Sequence, residues 1–388
     1  MMQTPVNQIG GAHLPVLEGT FLEHAQAREL EIRNAFSKSG MWRFEKVLGH
    51  GSYGLTTLLS DKDPLNLREP RQVVLKQPLI PDADVDDFVL EAEALQNLRG
   101  HAHIIQLIGY TANVRDFRQR GGILGRSLRR MRAALHNPPE NVFRALGRNQ
   151  GPVILLEYLQ NGNLARIVNK VHDNRTALPS RVLWTWYHCL VSSCVAMTYR
   201  KEGPAGGPLE FEEPQNNGVH YRLMHNDIAP RNVMIGEREP LDRLLLIDFG
   251  MARQGPRGYE RSAEKENLYA INEVMLMLIN PRRMTNGEES LRPMPWNGML
   301  TLASSVLDEK EVPHLDPQLR LLLSESFRCT SDRRPLDRPT LAETFERTRR
   351  GAQKQATAYP AVVRQHESDA GIRGIIQTLI LDADDEWD

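Results

Sequence analysis

The sequence predicts an α+β fold in two lobes, a small strand-rich first lobe with one main helix and a larger helical second lobe. Three observations predict it. Between Met41 and Leu107 the apolar residues come in short runs that end in turns, the pattern of strands. After Asn161 they lie at helical spacing in longer stretches. The 388 residues are 40% hydrophobic and 25% charged, a globular mixture that can bury a sizeable core.

The elements follow in order. Residues 1–17 carry no periodic pattern. "EGTFLEHAQARELEIRNAF" (18–36) has apolar residues at roughly helical spacing and predicts a helix ahead of the main fold, within an N-terminal extension of 1–40. "WRFEKVLGHG", "LTTLLS" and "RQVVLKQPL" predict three strands. "DVDDFVLEAEALQNLRG" predicts a helix whose first-turn acids suit its dipole. "HIIQLIGYTA" and "PVILLEYL" predict two more strands, and "PSRVLWTWYHCLVSSCVAMTYR" a long apolar helix. The main domain is expected over 41–350, divided into 41–158 and 159–350. Residues 112–150 and 201–220 are expected as surface insertions, because long structureless loops do not fit inside a compact domain. A tail of 351–388 ends in the acidic "LDADDEWD", and "GIRGIIQTLILDA" before it predicts a helix packed on the core.

Composition excludes several classes. A net charge of −1 gives no overall electrostatic case for nucleic-acid binding. Three scattered cysteines are too few for a disulfide framework or a zinc site and point to a reducing, intracellular, cytoplasmic setting. The N-terminus lacks a signal-peptide pattern, and no apolar run is long enough for a membrane span.

Candidate site residues occur at intervals. "LGHGSYG" places Gly49, Gly51 and Gly54 in a GxGxxG pattern between two predicted strands, where glycine lets the backbone approach phosphates; a glycine-rich hairpin explains it equally. Lys76 ends "VVLK", and Glu91 lies on the next helix, so the two can form an ion pair; each alone is an ordinary surface residue. In "HNDIAPRN", Asp227 can take the proton of an attacking hydroxyl and Asn232 can offer its carbonyl oxygen to a hard cation, although both also suit a turn. Asp248 follows the buried run "LLLI" and can bind a metal or cap a helix.

In combination these parts, in this order, make the chain resemble the protein kinase family over roughly Phe44 to Leu341. "GHGSYG", "VVLK", "EAEALQNLRGHAHIIQLIGY", "PVILLEYLQNGNL", "HNDIAPRN", "IDFG" and "DRRPLDRPT" carry the resemblance. It implies a kinase-like fold and a phosphotransferase dependent on ATP and Mg²⁺. Gly49, Gly51 and Gly54 would cover the phosphates, and Lys76, held by Glu91, would bind them. Glu157 and Leu159 would lie in the hinge that pairs with adenine, with Leu156 as gatekeeper. Asp227 would be the base, and Asn232 and Asp248 the Mg²⁺ ligands. The acceptor would be a hydroxyl, on a protein in most of the family.

The sequence departs from the family in four ways. Asn226 replaces the usual Arg, which removes a phosphate partner and argues against activation by phosphorylation. The segment after Asp248 is short, with Tyr259 and Ser262 as its obvious hydroxyls; no Ala-Pro-Glu is present, and Asn267 replaces the usual Asp. The resemblance therefore leaves Arg338 needing a partner, Glu264 or Glu266. Thr56 and Val74 make the adenine pocket narrower and more polar. Ala229 and Arg231 match the tyrosine kinase loop while Pro230 matches the serine/threonine one. The shortened segment keeps open a small-molecule acceptor, or a pseudokinase that binds nucleotide as a scaffold. Residues 112–150 hold nine arginines against two acids, a charge block suited to an acidic partner, to the acidic tail or to nucleic acid, or simply to solvation.

Overall fold

The computed structural model describes residues 20–51, 54–62, 69–80, 85–112, 138–147, 151–199, 209–214, 221–236, 243–255, 260–281 and 293–381. The expectations for 1–17, for Tyr259, for the acidic end 382–388 and for most of the basic stretch fall outside these residues. The chain is α+β, built on one five-stranded antiparallel sheet. No helix among the described residues is long and apolar enough to cross a membrane.

Helix α1 (Phe21–Ser37) starts where Thr20 and Glu23 form a reciprocal capping box, and it buries Ala25, Arg28, Ile32 and Phe36 along one face. Strands β1 (Trp42–Gly51), β2 (Gly54–Asp61) and β3 (Gln72–Gln77) follow, then helix α2 (Val85–Asn97) and strand β4 (Leu107–Thr111). Helix α3 (Pro138–Leu146) precedes strand β5 (Val153–Glu157), and the sheet order is β1-β2-β3-β5-β4.

Both faces of the sheet are buried, and strand alternation sorts the residues between them. Val73 and Leu75 of β3, with Val153 and Leu155 of β5, pack outward against Ile32 and Phe36 of α1 and Val142, Phe143 and Leu146 of α3. Val74, Ile154 and Leu156 face the opposite way, into a core shared with Phe88, Ala92 and Leu95 of α2. The sequence expectation that 112–150 is a surface insertion is therefore corrected for its end. The arginines obscured an apolar face at helical spacing, and that face covers the sheet.

Residues 201–220 are likewise not wholly superficial. Glu212 is buried, accepting the backbone N–H of His103 at 2.9 Å and pairing with its ring Nδ1 at 2.5 Å. A buried carboxylate must be paired, and a Gly/Pro/Glu-rich sequence gives no sign that one of its acids is.

The remainder is mostly helical. Helix α4 (Leu164–Asn174), not among the predicted elements, is capped by Asn163 accepting from the Arg166 N–H. Helix α5 (Ser180–Thr198) is buried around most of its circumference, as its nearly continuous apolar sequence requires. Its first turn lacks a side-chain cap of its own; Glu367 supplies one from the tail, accepting the N–H groups of Ser180 and Arg181 at 2.7 and 3.0 Å. Short strands β6 (Leu223–Met224), β7 (Val233–Ile235), β8 (Leu244–Leu246) and β9 (Arg253–Gln254) pair as β6 with β9 and β7 with β8. Helix α6 (Glu260–Ile279) follows, then a β10–β11 hairpin (Met294–Trp296, Met299–Thr301) and helices α7 (Pro317–Ser326), α8 (Leu341–Ala352) and α9 (Asp369–Ile376). The helix expected near the C-terminus packs as anticipated, with Ile372 and Leu379 in the core.

Arg338 makes no direct ion pair with either acid proposed for it, although the Glu266 charge acts on it at longer range. Its guanidinium lies 5.1 Å from the centre of the Tyr269 ring and donates to the Arg328 carbonyl at 3.2 Å, while Glu264 accepts the Leu341 N–H at the start of α8.

Helices α5 and α8 meet at Gly351, where an added Cβ would lie 2.2 Å from the Trp184 ring. Gly→Ala inside a helix ordinarily stabilises by about 1 kcal/mol. Here overpacking should reverse the sign, and Gly351→Ala is expected to cost about 1–3 kcal/mol in urea unfolding. A stability gain would show that the helices separate freely at this contact.

Candidate active site

A cavity of about 350 Å³ opens between the inner face of the sheet and the β7–β8 segment. Its lining includes Gly49, Gly51, Gly54, Lys76, Glu91, Leu156, Glu157, Leu159, Asn232 and Asp248, so most of the sequence-predicted site residues converge on one space. Asp227 sits beside it, joined to it through Asn232.

Lys76 occupies the centre. Strand β3 alternation turns it inward with Val74, and helix α2 brings Glu91 to it, both carboxylate oxygens 2.8 Å from the ammonium. Asp248 Oδ1 accepts from the same nitrogen at 2.9 Å, a contact absent from the sequence expectation. Burial alone would lower the Lys76 pKa, but Glu91 and Asp248 outweigh it and raise it, so the ammonium stays charged. Burial pushes the Glu91 carboxyl up against the opposing pull of Lys76. For Asp248 burial is likewise the largest influence and acts upward, yet Lys76 and the Gly250 N–H together hold the group below the usual carboxylate range.

The loop carrying Asp227 is organised by neutral groups. His225 is fully buried and donates through Nε2 to the Ile247 carbonyl at 3.0 Å, leaving Nδ1 to accept the Asp227 N–H at 3.3 Å. Burial, its largest influence, lowers its pKa to about 4, which fixes the neutral ring that both bonds require. Asn267 accepts the His225 N–H at 3.0 Å and donates to the Leu223 carbonyl at 2.7 Å. An aspartate could only accept there, so the buried amide serves both partners without burying a charge.

Asn226 has φ +62°, a left-handed conformation that Asn tolerates better than Arg. Its amide donates to the Met251 carbonyl at 3.0 Å, tying the loop directly to the turn after Asp248. Asn232 donates through Nδ2 to the carbonyl and the Oδ2 of Asp227, at 2.9 and 2.8 Å. Arg231 pairs with the other Asp227 oxygen, a contact that no sequence signal gives, because the two lie in a loop and not on a helix face.

The fit to a nucleotide with Mg²⁺ can be tested on two observations. With its amide nitrogen spent on Asp227, Asn232 has its carbonyl oxygen available, and the Asp248 carboxylate has more acceptor sites than Lys76 and Gly250 use. A neutral amide oxygen beside a carboxylate is a donor set suited to a hard cation. The glycines supply the second observation. Gly54 has φ +107°, and an added Cβ would lie 2.1 Å from the Gln77 carbonyl oxygen, so the fold demands it. At Gly49 and Gly51 an added Cβ would meet nothing within 4 Å among the described residues. Packing among the described residues does not require these two glycines, and the clear space above them has room for phosphates.

Glu157, at the end of β5, accepts the Gln106 N–H through its carboxylate at 2.8 Å and donates its own backbone N–H to the Gln106 carbonyl at 3.1 Å, while lining the cavity.

Two outcomes follow. Gly54→Ala is expected to destabilise the fold by about 1–3 kcal/mol, whereas Gly49→Ala and Gly51→Ala should leave the unfolding midpoint unchanged and weaken ATP binding in calorimetry. Loss of stability in all three would make them turn glycines only. Separately, His225 and His188, each with its pKa lowered by burial to about 4 against an ordinary 6.5, are neutral when folded and take up protons when unfolded. Their contribution is complete above about pH 6.5 and is lost as pH falls through about 4. The unfolding free energy should fall between these limits, and replacing His188 with Gln should flatten part of the slope.

No family model matches the chain, and no curated protein matches it.

Proposed function

We propose that the chain is an ATP- and Mg²⁺-dependent phosphotransferase of protein kinase type, with a two-lobed kinase-like fold, that transfers the γ-phosphate to a hydroxyl, on a protein substrate. One observation carries the reading: the Lys76 ammonium, bound by Glu91 and Asp248, stands under an uncrowded glycine loop and in the same cavity as Asn232. Phosphoryl transfer needs positioning and charge neutralisation more than covalent help, and these are the groups that supply them.

In this reading Lys76 binds phosphate oxygens, giving up part of its contact with Asp248 as it does so. Glu91 keeps it in place. Asn232 and Asp248 would hold Mg²⁺, which when bound supplies Lewis-acid neutralisation of the phosphate charge. Asp227 orients the acceptor hydroxyl and takes its proton through a carboxylate oxygen, and Arg231 must release or share that oxygen. The hinge backbone at Glu157 and Leu159 pairs with the base.

The Arg231 contact also favours a second reading. With Asp227 engaged by Arg231 and Asn232, the chain would bind nucleotide without transferring phosphate, as a pseudokinase does.

Purified protein with radiolabelled ATP, a generic hydroxyl acceptor and a Mg²⁺-free control distinguishes the two. Turnover is expected with Mg²⁺ and should fall roughly 10²–10⁴-fold in Asp227→Ala. Mg²⁺-dependent binding should weaken in Asp248→Asn, since an amide attracts a dication less than a carboxylate does. Tight Mg²⁺-dependent binding with no turnover would select the pseudokinase, and no binding at all would defeat both.

A further inference from the structure

Arg253 lies outside the cavity, yet it touches both structures that deliver carboxylates to Lys76. Its Nη1 donates to the carbonyls of Gly250 and Ala252, at 3.2 and 2.8 Å, in the turn that follows Asp248. Its Nη2 donates to Asp87 Oδ1 at 2.7 Å, in the first turn of α2. Asp87 and Glu91 are four residues apart on that helix and share one face. A group that fixes Asp87 therefore fixes the approach of Glu91.

We propose that Arg253 is a positioning residue, a built-in latch that couples the turn carrying Asp248 to the helix carrying Glu91 and keeps the Lys76 site assembled without an activating phosphate. This regulatory role rests on the phosphotransferase reading; the mechanical coupling does not.

Exposed ion pairs usually contribute little, because two long side chains must be frozen to make them. This pair escapes part of that cost. The two carbonyl contacts already hold the guanidinium, so its remaining fork is pre-organised for a carboxylate. Asp87 is a short side chain in the first turn of a helix, where its charge also suits the dipole. The latch has a second tie from the other side, since Asn226 holds the Met251 carbonyl of the same turn at 3.0 Å. Strand β9, which begins at Arg253, pairs with β6, whose Met224 leads into His225. The helix, the turn and the loop of Asp227 thus meet around one guanidinium and one amide. The resemblance implies an arginine at position 226 that pairs with a phosphate; here Asn226 cannot bind a phosphate as an arginine does, and Arg253 joins the helix and the turn directly.

The test uses the full chain without ligand, comparing wild type with Arg253→Ala, Arg253→Lys, Asp87→Ala and the exchanged pair Asp87→Arg with Arg253→Asp. Amide exchange is read by mass spectrometry over 85–97 and 248–252, alongside the thermal midpoint. Arg253→Ala and Asp87→Ala are expected to speed exchange in both segments about five- to tenfold, the effect of losing one ion pair held by charge-assisted bonds, with the midpoint nearly unchanged. Arg253→Lys should be intermediate, since an ammonium can meet Asp87 but cannot reproduce the fork. The exchanged pair should recover part of the protection over 85–97. Raised salt should speed exchange in wild type and not in Asp87→Ala. Exchange over 85–97 that is unchanged in both alanine variants, or an exchanged pair no better than either single change, overturns the proposal. Steady-state turnover of the same proteins then separates the two layers. A lower kcat with little change in KM for ATP in Arg253→Ala supports the regulatory role. An unaltered kcat despite faster exchange refutes that role, and absence of turnover in wild type defeats the phosphotransferase reading while leaving the coupling decided by exchange.

Discussion

The structure is organised around one buried positive charge. Lys76 is almost wholly removed from water, and an unpaired ammonium there would cost several kcal/mol. Its stability depends on two carboxylates that arrive from far along the chain, Glu91 on α2 and Asp248 after β8. Such a cluster is weak evidence for net stability, since desolvation of three charged groups offsets most of their attraction. Its effect is on specificity of arrangement. Helix α2 cannot swing out, nor the Asp248 turn flip, without leaving a buried charge short of a partner. The three charges also sum to an excess of one negative, an imbalance that a polyanionic ligand alone would worsen and a divalent cation would relieve. The Lys76 cluster and the oxygen-rich Asn232–Asp248 pair are in this sense two halves of one electrostatic arrangement.

Around that centre the loops are fixed by neutral polar groups in place of further charges. His225, Asn226, Asn232 and Asn267 each use both a donor and an acceptor, or a donor aimed at a carbonyl that no helix or strand would otherwise satisfy. The buried ones among them, His225, Asn232 and Asn267, stabilise only when every one is satisfied. The Asn residues at 226 and 267 look like losses when read as replacements for Arg and Asp. In the structure Asn267 makes a pair of contacts that an aspartate could not, because an amide both donates and accepts and carries no desolvation cost of an ion, and Asn226 takes a left-handed backbone that Asn tolerates better than Arg.

Much of this was legible in the sequence and some was not, for identifiable reasons. The five sheet strands and helix α2 announced themselves through alternation and period; of the residues converging on the cavity, the glycines, Lys76, Glu91, Asn232 and Asp248 were named from spacing and motif, and Leu156, Glu157 and Leu159 from the resemblance alone. What escaped were contacts between segments of unremarkable composition. Glu212 carries no local mark of its burial beside His103, because its partner lies 109 residues away. Glu367 caps α5 from 187 residues away, which no local cap pattern encodes. Helix α3 was hidden because the arginines of the stretch around it, only Arg144 of which lies on the helix, masked the face traced by Val142, Phe143 and Leu146. Arg253 and Arg231 are ordinary surface arginines by type, and only the fold shows what their guanidiniums meet.

The covered outer face of the sheet bears on how the site can move. A sheet with one wet face can flex as a unit, but here α1 and α3 close one side while α2 and the helical core close the other. Strand β3 is therefore held on both faces, and Lys76 inherits that rigidity. Motion needed to admit a ligand must come from elements with less packing. The β1–β2 end is the candidate, because β1 carries register irregularities between Phe44 and Lys46 and again between Val47 and Gly49, and such bulges bend and twist a strand locally. Beyond the second irregularity, Gly49 and Gly51 make no close contact a side chain would feel. The contact of Phe21 with His50, ring centres 6.0 Å apart, is one tether from α1 to this end. A rigid lysine beneath a glycine end that is paired to β2 yet uncrowded places the precise part of the site on the strand and the adaptable part above it, the division that the proposed binding of a flexible chain of phosphates would require.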